Sequence, residues 1–217
     1  MPCVGNTVKK GNGTSGIARA LQTIGRDFHA RGWVLGTSGN FSAVVSRSPL
    51  RLAVTASGVS KADLTAKDLL IVDSDGELVG AAAGKPSAET RLHLAIEEAR
   101  GASAILHTHS VWSTMLSERH AAERGLALTV FEMLKGLEGV RTHEHAEWIP
   151  IIENDQDIGR LAAEVGATLA RFPGAHAFLL RRHGLYTWGD DLAQARRHIE
   201  ILEFLLETTG REASWPS

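Results

Sequence analysis

The chain reads as a layered α/β domain with a central sheet that is mainly antiparallel or mixed. Three observations lead there. Helix-like and strand-like segments are interspersed without the strict alternation that a doubly wound parallel sheet requires. Three short strand-like runs follow one another directly after the first helix-like segment, as in a sheet joined by tight turns. No internal repeat, long linker or composition shift divides the 217 residues, and 43% hydrophobic content suffices for one good-sized core. We therefore expect one domain over residues 15–217, behind a flexible lead-in at residues 1–14.

The first helix is expected from about Ser15 to Ala30. Ile17, Leu21, Ile24 and Phe28 recur at helical spacing, with Thr14 or Ser15 as cap and Gly32 as stop. Strand-like runs follow at Asn40 to Val45, Arg51 to Thr55 and Leu69 to Val72. The last continues through the turn Asp73-Ser74-Asp75-Gly76 into Glu77 to Val79. The capping pattern Ser87-Ala88-Glu89-Thr90 opens a helix to Arg100, with Leu92, Ala95, Ile96 and Ala99 as its apolar stripe. A strand ending at His107, a helix over Ser110 to His120 and a strand over Ala127 to Phe131 come next. Residues Glu132 to Arg141 suit either a short helix or a loop. Ile149 to Ile152 reads as a strand and Asp157 to Arg171 as a helix stopped by Pro173-Gly174. A strand pair around His183 and an amphipathic helix from Asp191 to Thr208 complete the chain.

Composition narrows the partners. A formal net charge of −2 gives no reason to expect nucleic acid or an acidic membrane. Cys3 is the sole cysteine, so no intramolecular disulfide forms, which fits a reducing cytoplasm. No apolar stretch approaches the ~20 residues of a membrane span. The opening MPCVGNTVKKGNGTSG lacks the apolar centre of a secretion signal. A soluble cytoplasmic protein is expected.

The chemistry centres on histidines. His107 and His109 end the apolar run Ala104-Ile105-Leu106, and i, i+2 spacing on a strand points both rings to one face. His183 ends a second apolar run that starts at Ala177. Three neutral imidazoles with an open fourth position describe a catalytic zinc site. His143 and His145 repeat the spacing within Arg141-Thr142-His143-Glu144-His145-Ala146-Glu147, but no apolar run leads to them, so they read as a solvated loop.

Two glutamates compete for the role of acid or base. Glu89 suits either a capping carboxylate for its own helix or a group beside the metal. Glu132, flanked by Phe131, Met133 and Leu134, is expected to be partly desolvated, which would raise its pKa toward the working range of a general acid. Spacing alone does not choose between these roles and plain structural ones. The loops Gly36-Thr37-Ser38-Gly39-Asn40 and Thr55-Ala56-Ser57-Gly58 could form anion-binding nests, with Ser87 at a helix start as a third donor set.

Taken in order, five segments resemble the class II aldolase family of zinc-dependent sugar-phosphate enzymes. They are Gly39-Asn40-Phe41-Ser42, Thr55-Ala56-Ser57-Gly58, Lys85-Pro86-Ser87-Ala88-Glu89, Leu106-His107-Thr108-His109-Ser110 and Arg182-His183-Gly184. The set spans about residues 15–210. Within the family, Phe131-Glu132-Met133-Leu134-Lys135-Gly136-Leu137, Pro150-Ile151-Ile152-Glu153-Asn154 and Arg181 to Gly189 resemble a dehydratase branch that serves methionine salvage.

The resemblance implies a mainly antiparallel sheet between helical layers and a homotetramer with active sites near subunit interfaces. It implies one zinc ion per subunit on His107, His109 and His183, and a sugar-phosphate substrate, here a 5-methylthio ketose 1-phosphate losing water to give a diketone. Glu132 matches the acid/base of the dehydratases and Glu89 that of the aldolases. Asn40, Ser57, Gly58 and Ser87 would hold the phosphate. Aldolases and epimerases of the family use a tyrosine near the C-terminus. The tail Glu212-Ala213-Ser214-Trp215-Pro216-Ser217 has none and Tyr186 is the sole tyrosine, so these activities rank second. The fold also serves non-catalytic protein-binding relatives, which need no metal site.

Overall fold

The computed structural model describes residues 13–80 and 83–213. Its strands are β1 (Asn40–Arg47), β2 (Leu50–Thr55), β3 (Leu69–Val72), β4 (Ala104–Thr108), β5 (Gly125–Thr129), β6 (Ala146–Ile152), β7 (Ala177–Leu180) and β8 (Gly184–Gly189). They form one sheet in the order β3-β2-β1-β4-β8-β7-β6-β5. Every neighbouring pair is antiparallel except β6 and β7, which run parallel. The helices are α1 (Thr14–Ala30), α2 (Thr90–Arg100), α3 (Val111–Arg119), α4 (Ile158–Arg171) and α5 (Leu192–Glu212).

Two-residue alternation along β4 and β8 builds the layers. Ala104, Leu106 and Leu185 face α1, α3 and α5, where they pack with Phe28, Leu116 and Ile199. Ile105, Tyr186 and Trp188 face α2 and α4, where they meet Ile96 and Val165, with Phe178 of β7 beside them. Each fully buried side chain of this size contributes about 1.5–3 kcal/mol. The expected layered α/β fold is the observed one, with a mixed and mainly antiparallel sheet flanked by five helices. None of the described helices is long and apolar enough to cross a membrane.

Several local expectations change. The cap of α1 is Gly13, with no side-chain hydrogen bond from Thr14 or Ser15. The lead-in at residues 1–12 lies outside the described residues. Ala99 is exposed, because α2 turns it away from the stripe made by Leu92 and Ile96. The run Glu77 to Val79 makes only a bridge between Leu78 and Val72 rather than a strand. β5 ends at Thr129, two residues early, because Val130 adopts a left-handed φ of 64° that breaks the ladder. Residues Glu132–Gly136 form a 3₁₀ turn.

Two glycines set the spacing around the centre of the sheet. Gly39 has φ +70°, and a Cβ there would lie 2.6 Å from the His107 carbonyl oxygen. A Cβ on Gly184 would lie 2.0 Å from the Thr108 carbonyl oxygen. Only glycine lets β1 and β8 begin so close to β4.

Candidate metal centre

The alternation of β4 sends His107 to the α2 side and Thr108 to the opposite face, where its hydroxyl donates to Glu203 of α5. The His107 ring is fully buried and stacks on Tyr186, with centroids 3.8 Å apart and planes 11° apart. His109 follows the strand directly. His183 sits in the turn between β7 and β8 rather than in a strand. That turn is held by Arg182, whose φ of 53° is unusual for a residue with a side chain. The Arg182 amide donates to Ser117 Oγ (3.0 Å), and Thr114 donates to the His183 carbonyl (3.1 Å). Helix α3 therefore fixes the third histidine against the first two.

The three Nε2 atoms form a triangle with sides of 2.7, 3.1 and 3.3 Å. His107 Nδ1 faces the Leu185 carbonyl oxygen at 3.0 Å, which places the proton on Nδ1 and leaves the Nε2 lone pair toward the triangle. Burial, then the neighbouring His109 and His183, hold the His107 pKa well below its usual value. Burial and the nearby His183 and Lys61 lower His109 to about 4. Burial also lowers His183, although the Glu89 charge opposes it. Three neutral imidazoles presenting converging lone pairs fit a divalent metal. Ligands about 2.0–2.1 Å from a tetrahedral ion stand roughly this far apart. Among the described residues, these three are the one group of histidine, cysteine, aspartate and glutamate side chains so arranged.

Glu89 completes the centre. It occupies the N-cap position of α2 but makes no capping hydrogen bond. Its carboxylate instead lies 3.2 Å from His183 Nε2 and 3.7 Å from His107 Nε2. The capping alternative is therefore incorrect. Asn40 Nδ2 donates to Glu89 Oε2 at 2.5 Å. His93 Nε2 in turn contacts Asn40 Oδ1, and Ser42 Oγ contacts His93 Nδ1 at 2.7 Å. Burial lowers His93 to about 3, so this ring is neutral. A neutral ring bonded this way donates from Nε2 and accepts the Ser42 hydroxyl at Nδ1. Asn40 thus orients Glu89 as well as lining the cleft. Burial, then the Glu89 charge, pushes the Tyr186 phenol well above its ordinary pKa.

All four phosphate candidates reach one cleft of about 150 Å³. Asn40, Ser57, Gly58 and Ser87 line it together with Glu89, His109 and His183. The Ser57 amide, however, donates to the Lys85 carbonyl (2.9 Å), so this N–H is already used within the protein. Ser87 Oγ accepts from the Glu89 amide at 3.3 Å.

Glu132 does not join them. Its side chain is 71% exposed, bonded to Lys135 and 4.0 Å from His143. The Lys135 hydrogen bond lowers its pKa, whereas partial burial was expected to raise it. The flanking apolar residues misled because Leu134 and, in part, Phe131 turn into the core, while Met133 and Glu132 stay exposed. His143 is exposed as expected. His145 instead bonds Glu147, which is 1% exposed and also holds His176.

Three residues of the site escaped the sequence reading. His93 carried a usable signal, since i, i+4 spacing from Glu89 puts both at one side of α2. Ser42 stood in the Gly39-Asn40-Phe41-Ser42 segment but was given no role of its own, and Lys61 carried no signal.

Residues 19–209 match the family described as Class II Aldolase and Adducin N-terminal domain. The chain belongs to this family. Class II aldolase relatives include a protein of Sorangium cellulosum named methylthioribulose-1-phosphate dehydratase, 42% identical over 89% of this chain and 91% of its own length. A protein of the same name from Pseudomonas savastanoi pv. phaseolicola is 44% identical over 84% of this chain and 88% of its own. Among solved structures, L-fuculose-1-phosphate aldolase of Thermus thermophilus superimposes with a TM-score of 0.74 at 25% identity, covering 93% and 97% of the two chains. YgbL of Klebsiella pneumoniae gives 0.79 at 25% identity, covering 95% and 94%.

Proposed function

We propose that this class II aldolase-like chain dehydrates 5-methylthioribulose 1-phosphate to 2,3-diketo-5-methylthiopentyl 1-phosphate, a step of methionine salvage. The observation that carries the reading is the meeting of three imidazole lone pairs and one oriented carboxylate, which lines a cleft together with His109 and His183. The likeness to dehydratases at about 42% identity supports this choice of reaction over aldol cleavage or epimerisation. The catalytic domain spans residues 15–217, in a cytoplasmic homotetramer.

His107, His109 and His183 would hold one zinc ion per subunit. Such an ion supplies Lewis acidity that makes a proton beside a carbonyl removable. Glu89 takes the C3 proton. Its direction is set by the Asn40 amide, which His93 and Ser42 fix from behind, so the base meets the substrate without reorganising. The C4 hydroxyl then leaves as water with a proton from a carboxylic acid, and the resulting enol tautomerises to the 2,3-diketone. We assign the second carboxyl to Glu132 of a neighbouring subunit, where burial at the interface would raise the pKa that the Lys135 hydrogen bond lowers on the open surface. Two features favour this: Glu132 is exposed outside its own cleft, and Val130 and Met133 beside it are exposed apolar residues. Ser57, Gly58 and Ser87 anchor the 1-phosphate so that C3 faces Glu89.

Incubation of the zinc-loaded protein with 5-methylthioribulose 1-phosphate should yield the diketone phosphate and no shorter carbon fragments, read by mass spectrometry. Cleavage into two fragments would identify an aldolase instead.

A further inference from the structure

One buried lysine belongs to none of the motifs above. Lys61 is 1% exposed, an uncommon state for a lysine. It starts the short 3₁₀ turn Lys61–Asp63 and is pressed under α1, where a Cβ on Gly25 would lie 2.1 Å from the Lys61 carbonyl oxygen. Its Nζ donates to the Thr37 carbonyl (3.0 Å) and the Val59 carbonyl (2.7 Å). Thr37 belongs to the loop before β1 and Val59 to the loop after β2. These are the two Gly/Ser loops that frame the cleft, and Lys61 itself lines it beside Ser57, Gly58 and Ser87.

An ammonium carries three donors, and two are engaged. Among the described residues, no carboxylate lies within the 4.0 Å of an ion pair with Lys61. A buried cation facing only carbonyl dipoles is under-compensated and favours an incoming anion. Burial accordingly lowers its pKa to about 8. A phosphate entering the cleft that Lys61 lines with Ser57, Gly58 and Ser87 would supply the missing countercharge.

We infer that the Lys61 ammonium, clamped between the two loops by Thr37 and Val59, is the cation that receives the phosphate of the substrate. The inference deepens the sugar-phosphate reading above and rests on it. Lys61 then does two things. It ties the loops together in the free protein, and its third N–H distinguishes a phosphorylated sugar from its phosphate-free form.

The test uses the zinc-loaded wild-type protein with ¹³Cε-labelled lysine and inorganic phosphate as the probe. The Lys61 resonance, assigned by its loss in Lys61→Met, should shift on phosphate addition and its titration midpoint should rise from about 8. Lys61→Met should keep its zinc and weaken phosphate binding by about 10- to 100-fold, the worth of one hydrogen bond to a charged group. Its preference for 5-methylthioribulose 1-phosphate over the phosphate-free sugar should shrink by a similar factor. A Lys61 resonance that stays still while phosphate binds, or a response at Lys85 alone, overturns the inference. Lys61→Arg, which keeps the charge, supplies the same assignment by loss of the signal, so the wild-type measurement holds even if Lys61→Met misfolds. An inactive wild type with a responsive Lys61 would refute the dehydratase reading and spare this one; an active wild type with a silent Lys61 would do the reverse.

Discussion

His107-Thr108-His109 and His143-Glu144-His145 share one spacing and have opposite fates. In the first triplet the sheet supplies the constraint. β8 holds His107 by a carbonyl and a stacked ring, α3 fixes His183 opposite, and a single carboxylate, Glu89, lies beside two of the Nε2 atoms in place of a separate acid for each ring. In the second, each histidine faces its own carboxylate: His143 lies near Glu132 and His145 bonds Glu147. Spacing brings two rings together in sequence. Whether they converge on one point depends on what the surrounding elements leave for them to bond.

Metal content should separate the two triplets most strongly. His107→Ala or His109→Ala should lose both zinc and activity while the chain stays folded, whereas His143→Ala should keep full zinc content by elemental analysis. Near-stoichiometric zinc in the double variant His107→Ala/His109→Ala would move the centre elsewhere.

The glutamate beside each triplet gives the next largest effect. Glu89→Gln and Glu132→Gln should each lower kcat by about 10²–10⁴-fold with zinc retained, the usual range for general acid–base catalysis. If the two act across a subunit interface, co-assembled chains carrying one substitution each should recover activity that neither pure variant has. No recovery on mixing would confine each carboxylate to its own chain.

The smallest effect concerns Glu147. Burial alone would raise its pKa, but the hydrogen bonds and charge of His176, together with the His145 bond, hold it below 4.5. His176 is lowered by burial and raised more by Glu147, ending above 6.5. The depressed carboxyl stabilises the fold above pH 4.5 and loses that contribution as pH falls. The raised imidazole stabilises it below pH 6.5 and loses that contribution as pH rises through its folded value. Glu147→Gln should therefore cost about 1–3 kcal/mol, most strongly between these two limits, by urea denaturation across pH. A cost independent of pH would mean that Glu147 acts through packing alone.

Much of this architecture was legible from local chemistry. Asp157 and Asp191 cap α4 and α5 as their positions suggested, and Ser110 caps α3. The metal triad was legible because strand alternation turns spacing into direction. The aim of Glu89 was not. Its Ser-x-Glu context at a helix start matches a capping pattern, and only the placement of Asn40 across the sheet from His107 draws the carboxylate inward. Lys61 was invisible because Val59-Ser60-Lys61-Ala62-Asp63 has the composition of a solvated turn. Its burial comes from α1, more than thirty residues upstream, and from the missing side chain of Gly25. Glu132 misled for the converse reason, since a 3₁₀ turn directs adjacent apolar residues outward as readily as inward.

Gly39 and Gly184 carry no reactive group, yet each abuts the backbone carbonyl of a residue in the first triplet. Any side chain at either position would displace the strand that delivers the ligands, not merely crowd a cleft. The loops around the cleft can exchange residues, and so exchange recognised substrates, because their side chains extend from a fixed frame. The frame has no comparable freedom. Over divergence, positions without chemistry should prove as unyielding as the ligands, while the residues that touch substrate drift.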